Sequence, residues 1–146
     1  MIVVDDLKLE EVLCLTLTQG EDFYRSIQKV AEKKDVHEGI VLSGIATFDE
    51  ARIHYIVDTD VPAENEFVTW EGPIELSSVD GIIADYEPHM HCTLSTEGGR
   101  ILSGHLEPGC RVQCLAEVAI AKLSGPSLTR RKDSEYPLPL LRRSEK

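Results

Sequence analysis

The chain has little with which to fasten itself covalently. Its four cysteines, Cys14, Cys92, Cys110 and Cys114, contain no Cys-x-x-Cys pair, and four thiols among 146 residues do not make a disulfide framework. They read as reduced, mostly core thiols. No stretch approaches the roughly 20 apolar residues of a bilayer span, and MIVVDDLKLEE lacks the basic start and apolar run of a secretory signal. A soluble, cytoplasmic protein with no membrane partner is therefore expected. Positive charge is also scarce: 15 Lys and Arg against 26 Asp and Glu give a formal net charge of -11. That excess disfavours non-specific attraction to phosphate backbones or anionic lipid. There is no Gly-x-Ser-x-Gly elbow, no Walker sequence and no basic surface interleaved with aromatics. The glycine of GEDF stands alone before two acids, which is no phosphate loop.

What is present is a chain long enough to bury an ordinary core as one domain, without help from a metal. A metal would then serve function more than folding. VLCLTLTQ, residues 12 to 19, is apolar, β-branched and partly alternating, which predicts a strand over about 11–18. In GEDFYRSIQKVAEKKDV the period changes. Phe23, Ile27, Val30 and Ala31 recur at helical spacing, with Glu21 and Asp22 near the start and Lys33 and Lys34 at the end, as the helix dipole favours. Strand-like runs follow at 39–48, 51–58, 66–73, 74–86, 89–96, 100–107 and 111–123, punctuated by DE, DTDVPAEN and GP. One early helix among many short strands predicts a compact α+β domain with a largely antiparallel sheet.

The last eighteen residues differ in composition. TRRKDSEYPLPLLRRSEK carries six basic and three acidic side chains, a balance of +3 that leaves -14 on residues 1–128. Residues 1–128 are thus the domain body and 129–146 a tail packed on it or extending from it. Pro137 and Pro139 forbid a continuous helix there. The tail either lays Leu138, Leu140 and Leu141 on the body or serves as a phosphate-contacting arm.

HMHCTLSTEGGRILSGH, residues 89–105, holds three of the five histidines. Alternation along a strand points His89 and His91 the same way and Cys92 the other. The turn decides whether His105 joins them. A two-residue turn on Gly98 and Gly99 puts His105 on the wrong face, whereas a three-residue loop of Glu97, Gly98 and Gly99 sets His91 opposite His105. The second register also pairs Leu94 with Leu102 and Cys92 with Gly104, which keeps one face apolar. On the other it gathers His89, His91, Thr93, Ser95, Ser103 and His105, with Ile101 the one exception. Opposed Cβ atoms lie about 4.5 to 5.5 Å apart, a gap that imidazoles bridge to one ion at about 2.0 to 2.1 Å per bond. Three neutral imidazoles suit zinc best, with nickel, copper or ferrous iron as alternatives, and leave a position for water or a small-molecule ligand. The competing reading is a polar hairpin face whose histidines never share an ion.

Other candidates are weaker. His37 on a loop after the helix and His54 in a strand have no patterned partner. Cys110 and Cys114 share a face of the last strand without further soft ligands. Glu117 is an acid in the otherwise apolar CLAEVAIAKL. A three-residue EPGC loop, Pro108 to Cys110, would set it opposite Ile101 on the histidine face, where it would orient a ligand, relay a proton or form a structural salt bridge.

With its GEDFYRSI, VLSGIATFDEARI, IELSSVDGII, HMHCTLSTEGGRILSGHLEPG and AEVAI segments, the sequence resembles the plant-and-prokaryote conserved domain over about residues 9–141. The resemblance implies a strongly curved antiparallel sheet, a homotrimer and, as in several prokaryotic members, zinc held by His89, His91 and His105. Ser103 departs from the glycine usual before Gly104-His105. In plants the domain follows AT-hook segments, which implies a DNA-associated or regulatory role. This chain has no Arg-Gly-Arg-Pro core, so any DNA contact is expected from Arg130 to Lys132 and Arg142 to Lys146, or through another protein. A similar arrangement of His-x-His plus a later histidine occurs in acetolactate decarboxylase. That similarity implies, as the alternative, a zinc-dependent lyase acting on a small oxo or hydroxy acid.

Overall fold

Phe23, Ile27 and Ala31, one helical face, are fully buried, and they fix α1 (Phe23–Lys33) against the sheet. Asp22 caps the helix by accepting a hydrogen bond from the Arg25 amide at 2.9 Å, and Lys33 sits in the last turn. The computed structural model describes residues 1–132 and 134–145. Around α1 it places strands β1 (Lys8–Thr18), β2 (Glu38–Ile56), β3 (Asn65–Ala84), β4 (Glu87–Thr96), β5 (Arg100–Leu106) and β6 (Arg111–Ser124). A short ribbon of β7 (Leu128–Arg131) and β8 (Leu140–Arg143) follows.

The six strands form one antiparallel sheet in the order β1-β6-β2-β3-β4-β5. The sheet curls so far that its last strand returns to β2, where Ile53 pairs with Leu106 and His54 with His105. Gly104 permits this return, because a Cβ there would lie 2.4 Å from the His54 carbonyl oxygen. Inside the curl, Phe23 meets Phe48 edge to face at 5.5 Å between ring centres, among fully buried Ile53, Met90, Leu94, Leu106 and Ile120.

Two pairs of predicted strands are each one long strand. Residues 39–48 and 51–56 fall in β2, and 66–73 and 74–84 in β3, each strand ending two residues before the expected 58 and 86. The register shifts between Phe48 and Glu50, so that Gly72 and Pro73 of β3 face Asp49 alone. This is a bulge, and it accommodates a proline without ending the strand. The sequence around Gly72-Pro73 thus marks a bend where a break was expected.

The place expected for Glu117 is not the one it occupies. β6 pairs with β1 and β2, so Glu117 lies between Thr16 and Ile45 instead of opposite Ile101. Sheet curvature, invisible to hairpin counting, sends β6 back across the middle of the molecule. The thiols also divide: Cys92 and Cys110 are buried, Cys14 and Cys114 exposed, and Cys110 precedes β6 instead of sharing a face with Cys114.

After Gly125 the chain doubles back as the β7–β8 ribbon. The Leu128 amide donates to Glu38 Oε1 at 3.0 Å, and the Arg130 guanidinium donates to the carbonyls of Ile82 at 2.8 Å and Glu87 at 3.2 Å. Leu140 and Leu141 are half-buried and Leu138 is exposed. Asp133 and Lys146 of the tail lie outside the described residues. No helix is long and apolar enough to cross a membrane among those residues.

Candidate metal centre

The turn between β4 and β5 is the three-residue loop Glu97–Gly99, with φ of 77° at Gly98 and 75° at Gly99, a conformation that glycine adopts without a Cβ clash. It sets the register that hydrophobic alternation favoured: His91 opposite His105, Cys92 opposite Gly104, Thr93 opposite Ser103, Leu94 opposite Leu102. Met90, Cys92 and Leu94 point into the core, so His89 and His91 project outward with Thr93 and Ser95. All three predicted histidines lie side by side on this outer face, with their donor atoms not converged on one point. Ring centres lie 4.7 Å apart for His89 and His105, 5.5 Å for His91 and His105, and 5.5 Å for His89 and His91, whose rings are nearly parallel.

Two further residues belong to the cluster. Closure of the sheet stacks His54 on His105 at 4.5 Å between ring centres. Glu107, one alternation beyond His105, brings Oε1 to 2.7 Å from His54 Nδ1 and 2.9 Å from His105 Nδ1. Single donor atoms of His54, His105 and Glu107 all lie within 4.8 Å of one another, which makes these three a candidate metal site. Sequence reasoning missed His54 because its contact with His105 exists only once β5 reaches β2. It missed Glu107 although the His105-x-Glu107 spacing, which keeps both on one face, was a usable signal. His37 stands apart, its ring between Glu38 and Asp85, 3.1 Å from the latter.

Burial favours the neutral, ligand-ready form of two of these rings, His89 and His105. Burial, followed by the nearby His105 and Arg130, lowers His89 to about 4. Burial and His54 likewise lower His105, against an opposing pull from Glu107. His105 Nδ1 is buried and, although close to Glu107, is not aligned for a hydrogen bond to it, so one polar ring atom is left without a partner. Four imidazoles and a carboxylate gathered on one partly buried face are a donor set that suits a divalent transition ion. Two grooves flank the cluster. One, of about 450 Å³, is lined by His54, Asp80, His91, Ser103 and His105; the other, of about 390 Å³, by Asp80, His89, His91, Arg130 and Leu141.

A curled antiparallel sheet carrying imidazoles and a carboxylate on its outer face defines a β-rich domain with a candidate metal centre. The family model of the Plants and Prokaryotes Conserved (PCC) domain matches residues 5–124, and the chain belongs to that family. A metal-containing protein from Archaeoglobus fulgidus is 27% identical and superposes with a TM-score of 0.81 over 95% of this chain and 98% of its own. A plant- and prokaryote-conserved protein from Pyrococcus horikoshii is 26% identical, with a TM-score of 0.81 over 99% of this chain and 100% of its own. The bifunctional protein GlmU of Synechococcus is 25% identical over 107 residues, 73% of this chain, and the chain spans 16% of that protein's length.

Proposed function

We propose that this chain is a metal-binding module that holds a divalent transition ion, zinc first, through His89, His91 and His105. The observation that carries the reading is the β4–β5 register, which turns the three rings to one outer face within 4.7 to 5.5 Å of each other. The metal-containing relative from Archaeoglobus fulgidus supports it. Glu107 and His54 stand behind His105. The separations of 2.7 and 2.9 Å from Glu107 Oε1 are hydrogen-bond lengths, shorter than the about 3.3 Å between two tetrahedral ligands on zinc. Glu107 therefore acts as an orienting carboxylate that fixes His54 and, after a small ring rotation, the Nδ1 proton of His105, leaving Nε2 for the ion. When bound, such an ion supplies Lewis acidity and a coordination position for a ligand.

The proximity of donor atoms in His54, His105 and Glu107 favours a second reading, in which these three are themselves the ligands. Calorimetric titration of the metal-free protein with zinc separates the two. His91→Ala and His89→Ala abolish stoichiometric binding on the first reading, while His54→Ala and Glu107→Gln weaken it about 10- to 100-fold. The reverse pattern establishes the second, and no binding by the unaltered protein ends both.

The assembly is a homotrimer in this proposal. Val12, Ile40, Leu42, Ile45 and Leu115 lie exposed on the strands β1, β6 and β2, an apolar face that suits subunit packing. Mass measurement with and without a chelator tests it, the trimer persisting in both. Direct DNA binding falls outside this proposal, because residues 1–128 carry -14. Any DNA role runs through another protein. The open groove beside His91 and His105 keeps a zinc-dependent lyase for small oxo or hydroxy acids as the alternative; zinc-restorable carbon dioxide release would establish it.

A further inference from the structure

The second groove has an arrangement that metal binding alone does not require. Arg130 enters it from the ribbon, half-buried, and its two hydrogen bonds go to backbone carbonyls, which fix the guanidinium without cancelling its charge. Two acids lie close: Glu87, whose charge reaches Arg130 while its oxygens accept from Gln28 Nε2 at 2.9 Å and share the Tyr24 hydroxyl with the Pro88 carbonyl, and Asp80, which lines the same groove. A fixed cation with spare donors thus stands beside His89 and His91 in a chain whose surface is mainly acidic. Pro139, Leu140 and Leu141 give the ribbon side an apolar surface next to Arg130, whose ladder partner is Leu141, and Ile82 of β3 adds to the lining beside His89. The groove's volume of about 390 Å³ is at the small end of ligand pockets, which run from about 300 to 1,000 Å³.

We infer that this groove takes a small organic carboxylate, its anionic group against Arg130 and the histidine-bound ion, and its alkyl part against the β7–β8 ribbon. The inference rests on the metal-binding reading but not on turnover. Guanidinium matches carboxylate through two parallel N–H···O bonds, and partial burial strengthens the attraction. The apolar wall decides for a carboxylate over inorganic phosphate, whose oxygens would face leucine side chains on that side. Arg130 is then a ligand-binding residue, and the ribbon, expected from composition either to lay its leucines on the body or to serve as a phosphate arm, is one wall of the pocket.

The test uses full-length protein loaded with cobalt, whose visible spectrum reports a change at the metal. 2-Hydroxybutyrate and inorganic phosphate serve as the two probes. The spectrum should shift with 2-hydroxybutyrate at concentrations at least tenfold below those needed with phosphate. Arg130→Gln should weaken 2-hydroxybutyrate at least tenfold with cobalt stoichiometry unchanged, and Arg130→Lys should fall between. Leu141→Ser should weaken 2-hydroxybutyrate more than acetate. Cobalt retained in every variant with unaltered carboxylate affinity, or phosphate preferred in the unaltered protein, overturns the inference alone. Failure of the unaltered protein to retain cobalt overturns the metal reading beneath it. Should Arg130→Gln not fold, the comparison of Arg130→Lys with the unaltered protein and the preference between the two probes still decide.

Discussion

Adding one methyl group at Gly104 couples the fold to the site more tightly than any deletion of a histidine. In Gly104→Ala the new Cβ would sit 2.4 Å from the His54 carbonyl oxygen and 3.2 Å from its carbonyl carbon, where ordinary contact starts at 3.4 Å. Both offending atoms are backbone, so no rotamer change relieves them. The return of β5 to β2 must open by about an ångström, and overpacking of this kind costs about 1–3 kcal/mol. For a domain of this size each kcal/mol moves the melting temperature by about 2–4 °C, which gives a fall of roughly 2–12 °C. The same opening draws His105 and Glu107 away from His54, so the 2.7 Å contact between Glu107 and His54 is lost. Zinc affinity should drop about 10- to 100-fold, as it does when an orienting partner is removed. Urea denaturation and calorimetric zinc titration of the variant measure both quantities. A Gly104→Ala protein with unchanged midpoint and unchanged affinity would refute the claim that β5 closes on β2 and positions His105 by doing so.

Other expectations follow from particular groups. In the metal-free protein His89 and His105 are held neutral, so the unfolded chain binds more protons in mild acid. The contribution of both is complete above the ordinary histidine value of 6.5 and is lost as pH falls below it, for His89 toward 4, which thermal melts across that range will show. Because protons compete weakly for His89, the melting-temperature gain from zinc should persist at pH 6 and shrink as pH falls toward 4. A gain that disappears at pH 6 would contradict this. Tyr24→Phe leaves the buried Pro88 carbonyl without its 2.8 Å hydrogen bond and should cost about 1–3 kcal/mol in urea denaturation. Burial pushes the Cys92 and Cys110 thiols up to about 12, so a thiol reagent at pH 8 should label neither until the protein unfolds.

Local patterning was enough for the parts of this molecule that depend on neighbours in sequence. Helical spacing from Phe23 to Ala31 located α1, and the two-residue period of β4 and β5, together with Gly98 and Gly99, located a hairpin to the exact residue pair. Long-range closure was not legible. His54 looked like an isolated strand residue because its partner lies 51 positions away, across a seam that forms only when the sheet curls. The same curl explains Glu117: counting through the Pro108 to Cys110 turn assumed that consecutive strands pair, whereas β6 crosses to β2 and β1. Gly72 and Pro73 looked like a boundary because glycine and proline usually end strands, and the bulge opposite Asp49 is the circumstance in which they do not.

On the proposed reading one hairpin face gathers three imidazoles around a cation. Anomalous X-ray diffraction from zinc-soaked crystals at the zinc edge tests it most directly. A single peak is expected within about 2.0–2.1 Å of one nitrogen from each of His89, His91 and His105, with Glu107 and His54 outside bonding distance. A peak bonded to His54 and Glu107 with His89 and His91 turned away, or no peak near His105, would contradict it.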